Sequence, residues 1–187
     1  MSVSGRTRGE ASFVGQQLHH DNCFGCGALN NYSFHIPSSF DEEIGEVKFH
    51  FQLRREHEGA PGYAHGGALA VILDETQGVL CHHLGHFVMT DGFSIKYHKA
   101  TPLYRDLVVS AWLTSARSKR LYTKARIMLG DEVLVESKIK WYIIPERLFE
   151  RRFGGQGMDN RLKNFLEPNR ARAKEIRRRL RLQKAPA

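Results

Sequence analysis

The residues of this chain most able to do chemistry are Gly66 and Gly67 and, after six intervening residues, Asp74. The glycines close a loop, His57-Glu58-Gly59-Ala60-Pro61-Gly62-Tyr63-Ala64-His65, and an apolar run opens at Ala68 and carries Asp74 and Glu75 in its middle. A helix beginning at that loop would turn unpaired N–H groups and the positive end of its dipole toward an oxygen gaining negative charge. The glycines would let a substrate reach those donors. A carboxylate beside apolar surface is costly unless hydrogen-bonded, solvated in a cleft or functional, so Asp74 is either a working base or an ordinary, partly exposed Asp on an amphipathic helix.

The second cluster is Cys23-x-x-Cys26, with His19 and His20 just before it. Such ligands suit zinc. A second cysteine pair is missing, so the reading preferred is a tight turn near the substrate channel, with Gly25 and Gly27 supplying backbone freedom. No metal and no cofactor is expected.

These groups need elements to hold them. At about 100° per residue, Leu69, Ile72, Leu73, Thr76 and Leu80 share one broad helix face suited to a sheet or core. Gly67, Ala70, Asp74, Gly78 and Cys81 form a second stripe, small apart from Asp74, that a ligand or a second helix could approach closely. Glu75 points away from that stripe. Residues 44–53 alternate as a strand before the loop, and residues 86–98, 106–116, 120–129 and 132–144 are strands after it. Gly130-Asp131 marks the turn between the last two. Strands bracketing one helix give an α+β plan, an antiparallel sheet wrapped on that helix.

His65-Gly66-Gly67, the spacing to Asp74, the upstream Asn22-Cys23-Phe24-Gly25-Cys26-Gly27, Leu73-Asp74-Glu75, and Thr90 to Tyr97 followed by Thr101-Pro102 together resemble the hotdog-fold acyl-CoA thioesterases, in the phenylacetic-acid-pathway branch. The resemblance covers roughly residues 20 to 144. It implies an enzyme of acyl-CoA and fatty acid metabolism, built as a homodimer or dimer of dimers, that hydrolyses an acyl thioester to free acid and thiol. Carried over by position, Gly66 is the oxyanion donor, with Gly67 as a possible second; Asp74 is base or nucleophile, and Thr90 helps hold the water. Relatives place an Asn or Gln shortly before the motif His, where this loop has Glu58 and Gly59. A thioester has a weakly stabilised carbonyl and a good leaving group, so a charge-stabilising N–H and a base suffice. At about 1.5 Å rise per residue, Gly66 and Asp74 stand roughly 12 Å apart on one helix, so one site must combine Gly66 of one subunit with Asp74 of another.

His65 orients the loop, and His82, His83 and His86 are read as surface or helix-end residues. Arg117, Lys119 and Arg120 lie at a strand turn, where they either meet coenzyme A phosphates or keep a hairpin soluble. Residues 1–145 carry 15 basic and 15 acidic side chains and residues 146–187 carry 13 and 5, so the whole net charge of +8 belongs to the tail. The division expected is an N-terminal segment over 1–19, the hotdog domain over 20–145 and a partly helical basic tail over 146–187. Asn169 would cap a tail helix over 170–183, with Ala173, Ile176 and Leu180 as its apolar stripe. That tail is read as a solvated appendage ahead of one that meets nucleic acid, an acidic membrane surface or an acidic partner.

With 41% hydrophobic residues, no run of about eighteen apolar ones and three cysteines, the chain fits a cytoplasmic globular domain. Met1 to Gly15 lacks the apolar core of a secretory signal and leaves an organelle-targeting role open. Two other function classes compete: an acyl-CoA-binding sensor without catalysis, and a hotdog hydratase or dehydratase.

Overall fold

The computed structural model describes residues 21–37, 39–145, 147–148, 151, 164, 166–167, 169–170, 173–175 and 178. His19 and His20 lie outside the described residues, as do Ile176 and Leu180 of the expected tail stripe. The elements run β1 (Glu46–Phe51), α1 (Gly66–His83), β2 (Val88–Tyr97), β3 (Leu107–Arg117), β4 (Arg120–Leu129) and β5 (Glu132–Ile143), with a short 3-10 turn at Arg55–His57. The strands make one five-stranded sheet in the order β1-β3-β4-β5-β2, with every neighbouring pair antiparallel. This is the expected α+β hotdog plan, a sheet laid around one long helix.

Alternation forms the sheet. In β4, Leu121, Thr123, Ala125 and Ile127 are buried while Arg120, Lys124 and Arg126 face water, so only one register hides the apolar set. The hairpin to β5 turns at Gly130, whose φ of +58° favours glycine. β2 is an edge strand whose register slips between Thr90 and Gly92, a bulge that leaves both Thr90 and Phe93 on the helix side, opposite Trp141 and Ile139. That edge leaves Phe93 37% and Tyr97 50% exposed.

The helix buries Leu69, Ile72, Leu73, Thr76 and Leu80 as its core face. Beneath it lies a polar cluster that alternation alone did not reveal. Thr123 Oγ1 donates to Gln77 Oε1 at 2.6 Å, Gln77 Nε2 donates to Ser137 Oγ at 2.8 Å, and Trp141 Nε1 donates to Thr123 Oγ1 at 2.8 Å. All four residues are buried.

Three expectations change. Gly78 and Cys81 are buried, and a Cβ on Gly78 would touch the Trp141 ring at 3.7 Å, so the lower half of the small stripe accommodates this chain's own tryptophan. His82 and His83 end the helix but are buried, the second stacked on Phe40 at 4.7 Å, because the last turn of α1 is covered. The described tail residues are helical already at 164, so Asn169 lies within helix and is buried where a cap was expected. Leu166 and Ala173 join the main core, and the tail backbone at Arg170 passes so close to Gly85 that a Cβ there would lie 2.9 Å away. This stretch packs on the domain because it brings apolar surface of its own to the end of α1.

Candidate active site

His65 is the N-cap of α1, and its extended backbone turns the loop into the helix. Its Nδ1 accepts the Gly67 N–H at 2.9 Å. Gly67 is therefore already committed to the cap and is no oxyanion donor. The Gly66 N–H, one position earlier, has no acceptor among the described residues. Such first-turn donors are the unpaired groups of a helix N-terminus. Glu58 and Gly59, the other loop positions, are occupied structurally. Glu58 accepts the Gly62 N–H at 2.6 Å, and a Cβ on Gly59 would lie 2.9 Å from His65 Cα.

Tyr97, which no sequence pattern singled out, donates to the Gly66 carbonyl at 3.0 Å and fixes the start of α1 against β2. Beside it opens a cavity of about 280 Å³ lined by Gly66, Leu69, Tyr97, Lys99 and Thr101 among others. The Thr101 hydroxyl is buried there with no hydrogen-bond partner among the described residues. A concave site with an open N–H, an apolar wall and a spare hydroxyl can bind a carbonyl compound.

Asp74 lies further along α1, half-buried, and accepts the Thr90 hydroxyl at 2.9 Å on Oδ1. Burial pushes its carboxyl up from the ordinary range, the Thr90 hydrogen bond pulls it back, and nearby Cys23 adds to the rise. Thr90 thus spends its proton on Asp74, which it aims, and retains lone pairs to accept from water. Gly66 and Asp74 are joined in one rigid helix and do not converge within the chain, as their spacing requires.

Of the hairpin cations, Arg117 and Lys119 are exposed. Arg120 pairs with Asp91 through Nε at 3.0 Å and lies over the Tyr142 ring, which commits it to the sheet surface. Arg120 is in register with Tyr142 whereas Tyr97 is in register with Val135, so the hairpin stands roughly 23 Å of strand away from the cavity of its own chain. It shares its end of the sheet with Thr90 instead.

One group of three among the described residues could hold a metal ion: Cys23, Cys26 and Glu75. A hydrogen bond to Cys23, burial and the Glu75 carboxylate together hold the Cys26 thiol far above the usual thiol range. Burial also pushes the Cys81 thiol up, next to Asp74, so it is inert.

Residues 61–136 match the sequence family described as the thioesterase superfamily. The chain is 37% identical over 82 residues to acyl-coenzyme A thioesterase THEM4 of Rattus norvegicus, which covers 44% of this chain and 35% of that protein. It is 29% identical over 94 residues to acyl-coenzyme A thioesterase THEM5 of Mus musculus, 50% of this chain and 38% of that one. The chain thus spans little more than a third of the length of these curated relatives. Among solved structures, a thioesterase superfamily protein superposes with a TM-score of 0.51 at 31% identity, over 54% of this chain and 49% of its own. A Streptococcus mutans protein bound to acetyl CoA superposes with a TM-score of 0.53 at 18% identity, over 57% and 85%, a likeness of fold.

Proposed function

We propose, from the premise of a hotdog fold that carries the thioesterase-superfamily sequence over residues 61–136, that this protein hydrolyses acyl-CoA thioesters to free acid and coenzyme A. The observation that carries the reading is α1 itself, which presents at Gly66 an N–H without an acceptor among the described residues and, along the same helix, an Asp74 aimed by Thr90. The Gly66 N–H polarises the thioester carbonyl oxygen, and Asp74 of the partner subunit takes a proton from water or attacks the carbonyl carbon. In the first route water adds at carbon, the C–S bond breaks, and the thiolate leaves and is protonated; in the second the C–S bond breaks as an anhydride to Asp74 forms, and water then opens that anhydride to release the acid and return the carboxylate. The names of THEM4 and THEM5 support coenzyme A as the thiol.

The partner subunit follows from two features. Gly66 and Asp74 stand roughly 12 Å apart on one helix, further than one thioester carbonyl and its water can bridge. β2 has no further strand on its outer edge among the described residues, and Phe93 and Tyr97 there are partly exposed, the kind of edge that another strand covers. Two copies joined there about a two-fold axis run their β2 strands in opposite directions. The end bearing Thr90 and the hairpin of one then meets the Tyr97 end of the other. In that arrangement Arg117 and Lys119 of one copy would stand toward the Tyr97 end of the other, as cations available to the phosphates of coenzyme A. The low cysteine count supports a cytoplasmic setting.

The test is thiol release from short, long and aromatic acyl-CoA substrates by the native chain and by Asp74→Asn at equal folded concentration. A loss of at least about a hundredfold in rate is expected, as for positioned acid–base groups. No release from any substrate, with acyl-CoA still bound, would overturn the reading in favour of a sensor.

A further inference from the structure

We propose that Cys23, Cys26 and Glu75 form a zinc site that clasps the N-terminal turn to the middle of α1, contrary to the expectation from sequence that no metal is bound. The ligand atoms of the three residues lie within 4.8 Å of one another, and Cys23 Sγ stands 3.7 Å from Glu75 Oε2. Around one tetrahedral zinc with Zn–S near 2.3 Å and Zn–O near 2.1 Å, a sulfur and a carboxylate oxygen stand about 3.6 Å apart, and two sulfurs about 3.8 Å. The Cys23–Glu75 side already has the length that a single ion imposes, and the other two sides lie within 4.8 Å. The cysteines have the two-residue separation usual in such sites, and neither is in a disulfide.

The chain around them is shaped for the carboxylate. A Cβ at Gly25 would lie 2.4 Å from Glu75 Oε2, and one at Gly27 would lie 2.4 Å from Asp21 O and 2.5 Å from Cys23 N. The first glycine leaves room for the acid beside the two cysteines. The second lets the turn close, with the Gly27 N–H donating to Cys23 O at 2.8 Å. A dication bound by two thiolates and one carboxylate leaves a single net negative charge. Two sulfurs in the set select zinc over magnesium or calcium, which take oxygen ligands. The fourth tetrahedral position is left for water or for a group from outside the described residues.

The site is separate from the proposed hydrolysis, although Glu75 follows Asp74 directly, so the clasp holds the turn against the stretch of helix that carries the base. Zinc alone is the probe. The full chain, purified reduced and stripped with a chelator, is titrated with zinc against a chromogenic competitor, beside Cys23→Ser, Cys26→Ser and Glu75→Gln. The native chain is expected to hold one equivalent. Both serine variants should lose tight binding, and Glu75→Gln should weaken it by at least about tenfold, the lower range for losing even an outer partner of a metal ligand. Cobalt in place of zinc should give a thiolate charge-transfer band that the serine variants lack. Zinc uptake no greater than that of the serine variants, or uptake unchanged by Glu75→Gln, would overturn the proposal. If the serine variants fail to fold, Glu75→Gln, which preserves the shape of the side chain, decides it alone.

Discussion

Replacing Gly66 by proline deletes one N–H and leaves the surrounding backbone in place, which makes it the sharpest probe of the proposed oxyanion donor. Gly66 is the first residue of α1, where proline is well tolerated because that N–H has no helical acceptor. His65 before it has φ −66° and ψ 136°, the extended conformation that a residue preceding proline adopts anyway. The new Cβ would meet Tyr97 Oη at 3.3 Å, at the tip of a half-exposed side chain, and Gly66→Ala controls for that contact. Losing one oxyanion donor costs about 10²–10³ in kcat, or roughly 2.7–4 kcal/mol of barrier. Gly66→Pro should fall by that amount relative to Gly66→Ala, with folding unchanged by circular dichroism. Mixing then tests the shared site. A heterodimer of Gly66→Pro and Asp74→Asn chains, isolated with two affinity tags, has one doubly damaged site and one native site, so about half the native rate should return. A proline variant within about tenfold of the alanine variant, less than about 1.4 kcal/mol, would refute the donor assignment. A heterodimer no better than either parent would refute the assembly of the site from two chains.

Thr90→Val removes the hydroxyl that aims Asp74 at 2.9 Å. A hydrogen bond to a charged group is worth about 1.5–3 kcal/mol, so kcat should drop roughly 10- to 100-fold, less than in Asp74→Asn; a larger drop would give Thr90 a direct role. Thr123→Val keeps the shape of the residue but strands Gln77 Oε1 and Trp141 Nε1 under α1. At about 1–3 kcal/mol for each buried orphan, Tm should fall by on the order of 10 °C by calorimetry, and a shift near zero would show that the cluster is wet. Phe93→Lys places charge on the exposed edge of β2 and should yield monomers by sedimentation together with loss of thiol release; active monomers would rule out the dimer reading. Glu46 has its carboxyl raised, chiefly by burial, against the opposing pull of Arg126 and Lys48. The folded form therefore holds that proton more tightly than the unfolded one, and stability falls as pH rises through the raised value. Glu46→Gln should raise the urea midpoint at neutral pH relative to the native chain and lose that advantage at acid pH.

Much of this architecture was legible because period and punctuation agree. Alternation in residues 120–129 survives as β4 without change, and the Gly-Pro loop ahead of Ala68 leads into α1 at Gly66, two residues early, because His65 caps it. The candidate site was legible only as positions. Spacing separates Gly66 from Asp74 but cannot say which N–H the His65 ring takes, and that one hydrogen bond removes Gly67 from the site. Tyr97 was hidden for a related reason: its value lies in reaching the Gly66 carbonyl from a strand that no local pattern pairs with the helix start. The polar cluster at Gln77, Thr123, Ser137 and Trp141 could have been suspected, since the sheet residues fall at inward positions between apolar neighbours. Glu75 is the most instructive case. Its helical angle turns it correctly away from the Asp74 stripe, but angle does not name what it meets, and the CxxC turn that receives it is 52 residues from Cys23 to Glu75 along the chain. Period thus tells which way a side chain points, while the chemistry it can perform depends on which distant segment crosses that direction. In α1 two consecutive acids, Asp74 and Glu75, diverge by one helical step into a hydroxyl on one side and two thiols on the other. That divergence would let one helix serve the proposed base and the proposed metal ligand without either taking the other's place.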